Sequence, residues 1–137
     1  MTQEEKDLLL KDLCARLPYG VWIEEKLKSC KSGAKWMLHA RDIDAIEKGQ
    51  FDFYKPYLFP LSSMTDELWD KEFRGCGITE FTRDSFKYGC ETLEFDNSSI
   101  DFSNIVKFIN KLIKHHFDIY GLISMGLAID ATGLNIY

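Results

Sequence analysis

The fold of this chain is constrained most by an amphipathic stretch near its C-terminus, residues 100–120. Asp101 or Ser103 can supply the N-cap oxygen of a helix that is expected to start around residue 102. Four residues of this stretch follow the spacing of one helical face: Ile105, Ile109, Leu112 and His116. Three lysines recur on another side, which is expected to face water: Lys107, Lys111 and Lys114. A single helix of this length is marginal in water, so its apolar face needs a sheet or other helices to cover it.

The first half of the chain predicts a helix followed by antiparallel strands. Thr2 and Glu5 have the spacing of a capping box, so a helix is expected to begin at the start of the sequence. Its buried face is predicted from apolar residues that include Leu9, Leu13 and Cys14. Residues 21–28 and 34–41 then alternate between apolar and polar side chains, the pattern of half-buried strands.

The second half predicts a short helix, a hairpin and the long helix already described. Ser63 or Thr65 can cap the short helix, which ends at Gly75. Residues 76–95 are interpreted as mostly extended, with a turn at Gly89. The sequence therefore predicts one α+β domain, residues 1–137, with a small antiparallel sheet packed against an N-terminal helix and a long C-terminal helix.

Composition and charge argue against several classes of protein. Apolar residues make up 45% of the chain, too many for a disordered protein. The net charge is −5, and residues 61–101 carry ten acidic against four basic side chains, so nucleic acid is a disfavoured partner. No apolar run approaches the roughly 20 residues that span a bilayer, so we expect a cytoplasmic protein without membrane contact.

The four cysteines do not form a recognisable metal or redox motif. No two of them have the C-x-x-C spacing, and no secretory context favours disulfides, so free thiols are expected. Asp42, Asp44 and Glu47 could hold a divalent cation but lack the glycine and the downstream glutamate of a calcium loop, so a solvated turn is the preferred interpretation. No cofactor and no metal are predicted.

Three segments of the chain carry a resemblance to a known group of proteins. The segments are KDLLLKDLCARLPYGV at residues 6–21, KPYLFPLSSMT at 55–65 and HHFDIYGLISMGLAI at 115–129, about a third of the sequence. They resemble small uncharacterised proteins encoded by gut bacterial anaerobes and by their prophages or other mobile elements. The resemblance implies an intracellular bacterial protein, an accessory gene product, and it brings no known activity, cofactor or catalytic residue.

The candidate polar site is the cluster His115, His116 and Asp118. Adjacent histidines on a helix point about 100° apart, so they do not chelate one metal as an i, i+4 pair does. The structural interpretation places His116 on the apolar face and His115 at the helix C-terminus, where a cation is favourable. The functional alternative is a Cys/His-dependent hydrolase in which a histidine activates Cys76 or Cys90.

The candidate interaction surface is aromatic. Trp22 alternates with the apolar face of its predicted strand, and Tyr57 and Phe59 flank prolines that belong at a sheet edge. A larger single core is the alternative explanation for these aromatic residues. The favoured hypothesis is a non-enzymatic interaction module with a protein partner or a second copy of the chain. The hydrolase is second, and weak nucleic-acid binding by the lysines is third.

Overall fold

A computed structural model describes five parts of the chain: residues 1–25, 33–49, 54–89, 94 and 101–137. They form two compact units, which we call the sheet unit (Met1–Leu58 and Tyr120–Tyr137) and the helical unit (Phe59–Ile119). Each unit has an apolar core of its own. The α+β class predicted from the sequence is confirmed. That the chain is one domain stays a prediction, and residues 26–28 of the first predicted strand lie outside the described residues.

In the part of the sheet unit that the structure describes, there are two α-helices and four strands. Helix α1 is Gln3–Arg16, followed by a 3-10 turn at Leu17–Tyr19, strand β1 Trp22–Glu25, strand β2 Ala34–Met37, helix α2 Ala40–Glu47, strand β3 Tyr54–Leu58 and strand β4 Ile129–Asp130. The strand order is β2-β1-β3-β4. Strand β1 is antiparallel to both β2 and β3, whereas β4 runs parallel to β3. The sheet is therefore mixed, because a segment far along the chain adds its last strand.

Helix α1 confirms the predicted capping box and corrects the predicted face. The Thr2 hydroxyl accepts from the Glu5 N–H, and the Glu5 carboxylate accepts from the Thr2 N–H. Leu9 and Leu13 are buried as predicted, but Cys14 is exposed. Asp12 and Arg16 are buried instead and form a bidentate ion pair, with N–O distances of 2.7 and 2.8 Å. The sequence pattern missed this because charged pairs at i, i+4 usually mark the solvent face of a helix.

The core of the sheet unit lies on one face of the sheet. Side chains alternate along a strand, so Ile23 of β1 points into this core, between Trp22 and Glu24. The other buried apolar members come from both helices, from the residue before β1, from the residue after β2, from strand β3 and from the C-terminal part of the chain: Leu9, Leu13, Val21, Leu38, Ile46, Tyr54, Leu58, Leu122 and Ala128. The opposite face of β1 is consequently left for polar and aromatic side chains.

The helical unit is built around aromatic rings. Its elements are a 3-10 turn Leu61–Ser63, helix α3 Asp66–Leu68, a π-helical turn Trp69–Phe73, helix α4 Glu80–Lys87 and helix α5 Phe102–Lys114. The Trp69 and Phe73 rings stack with centroids 5.6 Å apart, and Phe108 of α5 packs edge-on to Phe73 at 5.5 Å. The predicted cap of the short helix is confirmed, since the Thr65 hydroxyl accepts from the Leu68 N–H.

The prediction of a hairpin at residues 76–95 is wrong where the structure describes it. Helix α4 occupies Glu80–Lys87, and its buried face consists of Thr82, Ser85 and Phe86. Two of these three residues are polar and small, so the apolar periodicity that identifies a helix is weak here. Cys90 and the rest of the predicted second strand lie outside the described residues, apart from Glu94.

Helix α5 begins where predicted but buries a different face. The Asp101 carboxylate caps it by accepting from the Ser103 N–H. Leu112 is buried as predicted, Ile105 and Ile109 are half-buried, and Val106 is 55% exposed. Phe108 and Ile113 complete the buried face. The face is rotated because the aromatic cluster receives Phe108 at its centre.

Removing the Asp12 carboxylate is expected to destabilise the sheet unit. An Asp12→Ala variant deprives a fully buried guanidinium of its counter-charge, which costs about 3–5 kcal/mol. The free energy of unfolding from urea denaturation measures the loss. Asp7→Ala is the control, since Asp7 is exposed on the same helix and accepts a hydrogen bond from the Gln3 side-chain amide. A loss below about 1 kcal/mol for Asp12→Ala would contradict this account.

Candidate functional site

The outer face of the sheet, away from its core, carries a row of charged and aromatic side chains. In β1 these are Trp22 and Glu24, because Ile23 between them points inward. Residues directly opposite one another share a face, so the partners of Trp22 and Glu24 join the row. Those partners are Met37 and Lys35 of β2, and Lys55 of β3.

Tyr57 contacts both an anionic and a cationic side chain of this face. Its phenol donates a hydrogen bond to the Glu24 carboxylate, and the Lys35 ammonium lies 5.0 Å from the centre of its ring. Although Tyr57 is on the outer face, it is only 1% exposed, because Lys35 and residues near the C-terminus cover it. Glu24 therefore has its charge stabilised by a hydroxyl, while the ammonium remains at the rim.

The pKa values of this cluster define its chemistry. Burial raises the pKa of the Tyr57 phenol, and the hydrogen-bonded Glu24 carboxylate raises it further. The pKa of Lys35 is also raised, chiefly by its hydrogen bond with Tyr57. At neutral pH Tyr57 is thus a neutral hydrogen-bond donor and Lys35 a cation. A tyrosine base or nucleophile would need the opposite shift.

A hollow of about 230 Å³ opens beside this cluster. Its walls come from the strands and from the C-terminal segment: Trp22, Lys35, Tyr57, Asn135 and Ile136. Pockets that enclose small-molecule ligands and cofactors usually measure roughly 300–1,000 Å³. The hollow is below that range and has the size of one large side chain.

Tyr137 fastens the C-terminal segment to the strands beside the hollow. Its hydroxyl accepts from the Trp22 N–H at 3.1 Å and donates to the Tyr57 carbonyl at 2.8 Å. Burial raises the pKa of this phenol to about 12. Asn135 turns the chain toward the sheet with a left-handed φ of 48°, which asparagine tolerates better than most residues.

Of the predicted interaction surface, Trp22 and Tyr57 meet at this hollow. Phe59 belongs to the helical unit, where its ring lies 6.2 Å from that of Phe117. The sequence analysis missed Glu24, Lys35 and residues 135–137. Strand alternation alone places Glu24 on the face of Trp22. Lys35 joins that face through the pairing of β2 with β1, and no local sequence pattern specifies this register.

The predicted polar cluster is divided between two environments. The Nε2 of His115 lies 3.5 Å from the Glu72 carboxylate, and its ring is 6.1 Å from that of Phe73. Asp118 is buried, and its N–H donates to the Phe59 carbonyl at 2.8 Å. His116 is buried too, as the left-handed residue after the end of α5 rather than on its apolar face.

His116 occupies the position where helices most often have glycine. Its φ is 62°, and the N–H groups of His116 and Phe117 donate to the carbonyls of Ile113 and Leu112. These two bonds define a Schellman cap, and the contact between Phe117 and Leu112 in the core completes it. The predicted helical position of His116 is therefore wrong, because the helix ends at Lys114.

The remaining sequence candidates occupy structural positions. Cys76 is buried in the core of the helical unit, and Cys30 and Cys90 lie outside the described residues. The Lys111 ammonium donates to the Glu72 carbonyl, which removes it from the predicted lysine row. Asp42 lies in the first turn of helix α2, and its carboxylate accepts a hydrogen bond from the His39 N–H. Within the described ranges, no group of three or more His, Cys, Asp or Glu side chains could hold a metal ion.

Comparison with known proteins supplies no relative for this site. No family model matches the chain, and neither a curated protein nor a solved structure matches it. Among the helices that the structure describes, none is both long and apolar enough to cross a membrane. A function has to be argued from the geometry of the hollow itself.

Alkaline pH is expected to weaken the attachment of Tyr137. Its pKa is about 12 in the folded protein against an ordinary 10.0, so the stabilisation from the protonated phenol is complete below about pH 10 and is lost as the pH rises through about 12. The free energy of unfolding should therefore fall less steeply over this range in Tyr137→Phe than in the wild type. Tyr88→Phe, which alters a side chain that is 85% exposed, should follow the wild type. Equal pH dependence in all three proteins would contradict the assignment.

The left-handed cap predicts an unusual order of stability at position 116. His116→Ala and His116→Gly remove the same side-chain contacts, but alanine keeps a Cβ that is strained at φ 62°. We expect the glycine variant to be the more stable of the two by about 1 kcal/mol, measured by urea denaturation. In an ordinary helical position the glycine variant would be less stable than the alanine variant by a similar amount. If His116→Gly proves less stable than His116→Ala, the left-handed cap at residue 116 is refuted.

Proposed function

We propose that this protein is a non-enzymatic interaction module that binds a linear segment of another protein at the outer face of its sheet. The segment inserts one apolar side chain into the hollow and places a carboxylate beside Lys35. The observation that carries the proposal is the combination, at one place, of a hollow of about 230 Å³ with an ammonium at its rim.

The size and lining of the hollow support a side chain as the occupant. Its walls include the Trp22 ring and the Ile136 side chain, which offer apolar contact. Met37, opposite Trp22, is 42% exposed and extends this surface. Methionine and aromatic side chains are enriched at protein interfaces, and the flexible thioether adapts to partners of different shape.

The charges of this face support an acidic segment. Glu24 lies between two lysines, Lys35 and Lys55, in the cross-strand register. Among the described residues of this row, two ammonium groups stand against one carboxylate, so the row is cationic although the chain carries a net charge of −5. The Glu24 carboxylate also accepts a hydrogen bond from the Tyr57 phenol. Complementary charge gives specificity and raises the rate of association.

The chemistry of the hollow gives no support to an enzyme. Tyr57 is kept protonated by burial and by Glu24. A raised pKa suits a fixed hydrogen-bond donor and does not suit a base or nucleophile that must be deprotonated near neutral pH. The hydrolase hypothesis depended on histidine and cysteine, and Cys76 is buried among apolar side chains.

The setting we propose is the bacterial cytoplasm, in keeping with the resemblance of residues 6–21, 55–65 and 115–129 to small proteins of gut anaerobes and their mobile elements. The free thiols of Cys14 and Cys76 support a reducing compartment. An accessory protein that binds short segments of its partners fits both the resemblance and the geometry of the hollow.

Selection from a phage-displayed library of random nonapeptides tests the proposal. We expect the enriched peptides to share an apolar residue beside Asp or Glu. The exposed Lys35 then allows a charge reversal, and Lys35→Glu should weaken binding of a synthetic selected peptide roughly tenfold in fluorescence anisotropy. Lys48→Glu is the control, because Lys48 is an exposed lysine of the same unit that pairs with Asp44.

Two outcomes would overturn the proposed function. One is the absence of any enriched consensus, or a consensus whose binding is equal in the wild type and in Lys35→Glu. The other is a dimer in size-exclusion chromatography with light scattering that Lys35→Glu converts to a monomer. That result would assign the same face to a second copy of this chain.

A further inference from the structure

The hydroxyl of Tyr137 stands where two strands would otherwise pair directly. The last paired residues of β1 and β3 at this end are Ile23 and Pro56, and Trp22 and Tyr57 are one step further along. Proline has no N–H for the ladder, so the pairing is already weakened at this position. The Tyr137 hydroxyl bridges the gap, since it accepts from the Trp22 N–H and donates to the Tyr57 carbonyl.

The Tyr137 hydroxyl ties residues 134–137 to strands β1 and β3. Leu134 is 48% and Tyr137 46% exposed, Asn135 is exposed, and Ile136 is half-buried. Asn135 supplies the left-handed turn that brings Ile136 and Tyr137 back to the strands. Asn135 and Ile136 also line the hollow. One wall of the hollow is therefore formed by a segment that the two hydrogen bonds of the Tyr137 hydroxyl attach to β1 and β3.

We propose that Tyr137 is a latch. The latch is closed when the Tyr137 hydroxyl makes its two hydrogen bonds, and Asn135 and Ile136 then complete the wall of the hollow. Occupation of the hollow and closure of the latch therefore stabilise each other. This inference rests on the proposed function, because it concerns the regulation of the same site. A peptide side chain in the hollow contacts Asn135 and Ile136 only when the latch is closed. Linkage then requires that anything that opens the latch weakens peptide binding, and that bound peptide protects the latch.

Tyr137→Phe opens the latch with the smallest chemical change. It removes one oxygen and leaves the Trp22 N–H and the Tyr57 carbonyl without their bridging partner. Hydrogen exchange of the Trp22 amide, followed by NMR without any peptide, should become roughly tenfold faster. The affinity for the selected peptide should fall by a similar factor. Tyr88→Phe, in the helical unit, deletes an exposed hydroxyl and should change neither quantity.

A second pair of variants tests the latch without touching the Tyr137 hydroxyl. Asn135→Gly accepts a φ of 48° and should keep the wild-type exchange rate at Trp22. Asn135→Val places a β-branched side chain in a conformation that it rarely adopts, so Trp22 exchange should accelerate as in Tyr137→Phe. Both variants retain Tyr137, and thermal unfolding followed by circular dichroism verifies that each protein is folded.

The results separate the latch from the proposed function. Unchanged Trp22 exchange in folded Tyr137→Phe overturns the latch whether or not peptides bind. Faster exchange with unchanged peptide affinity overturns the coupling and leaves the interaction module intact. If the wild type selects no peptide, the proposed function fails, and with it the coupling to a ligand. Faster exchange together with weaker binding supports both.

Discussion

Strand β1 divides the sheet unit into two chemically different faces, and the rest of the unit depends on that division. Ile23 is completely buried in a core closed by α1, α2 and the C-terminal part of the chain. Its neighbours Trp22 and Glu24 must then point the other way, because successive side chains of a strand alternate. A slip of one residue in register would bury Glu24 and expose Ile23, so the hydrophobic effect fixes the outer face as firmly as it fixes the core.

The outer face carries charged side chains of opposite sign and the Tyr57 phenol. The Glu24 carboxylate accepts a hydrogen bond from the Tyr57 phenol and is flanked by lysines. Lys35, in the middle of edge strand β2, discourages that edge from pairing with another strand. The hollow beside these groups is open to a ligand. Its small size, its Trp22 wall and its protonated Tyr57 favour recognition of a side chain over chemistry on a substrate.

Local sequence signals predicted local structure well in this chain. The capping box of Thr2 and Glu5, the cap at Thr65 and the start of α5 depend on residues within one turn of each other, and all three are confirmed. The predictions failed where a residue acts against the usual role of its type. Asp12 and Arg16 are charged but buried, Thr82 and Ser85 are polar but form the inner face of α4, and His116 takes a glycine position.

The candidate site was beyond sequence patterns for a related reason. Its residues come from β1, β2, β3 and the C-terminal segment. Tyr57 and Tyr137, which are hydrogen-bonded there, are 80 residues apart in the sequence. Trp22 and Tyr57 stood out as aromatic residues, but nothing local to either one indicates that Tyr137 lies between them. Only long-range register and chain reversal bring these groups together.

We propose that the outer face of the sheet binds an acidic segment with an apolar side chain. Chemical-shift changes in ¹H–¹⁵N NMR spectra, recorded while a selected peptide is added, locate the binding surface. The largest changes are expected at the Trp22 indole N–H and at the amides of Lys35 and Ile136, which line the hollow. Changes confined to the helical unit, Phe59–Ile119, would contradict it.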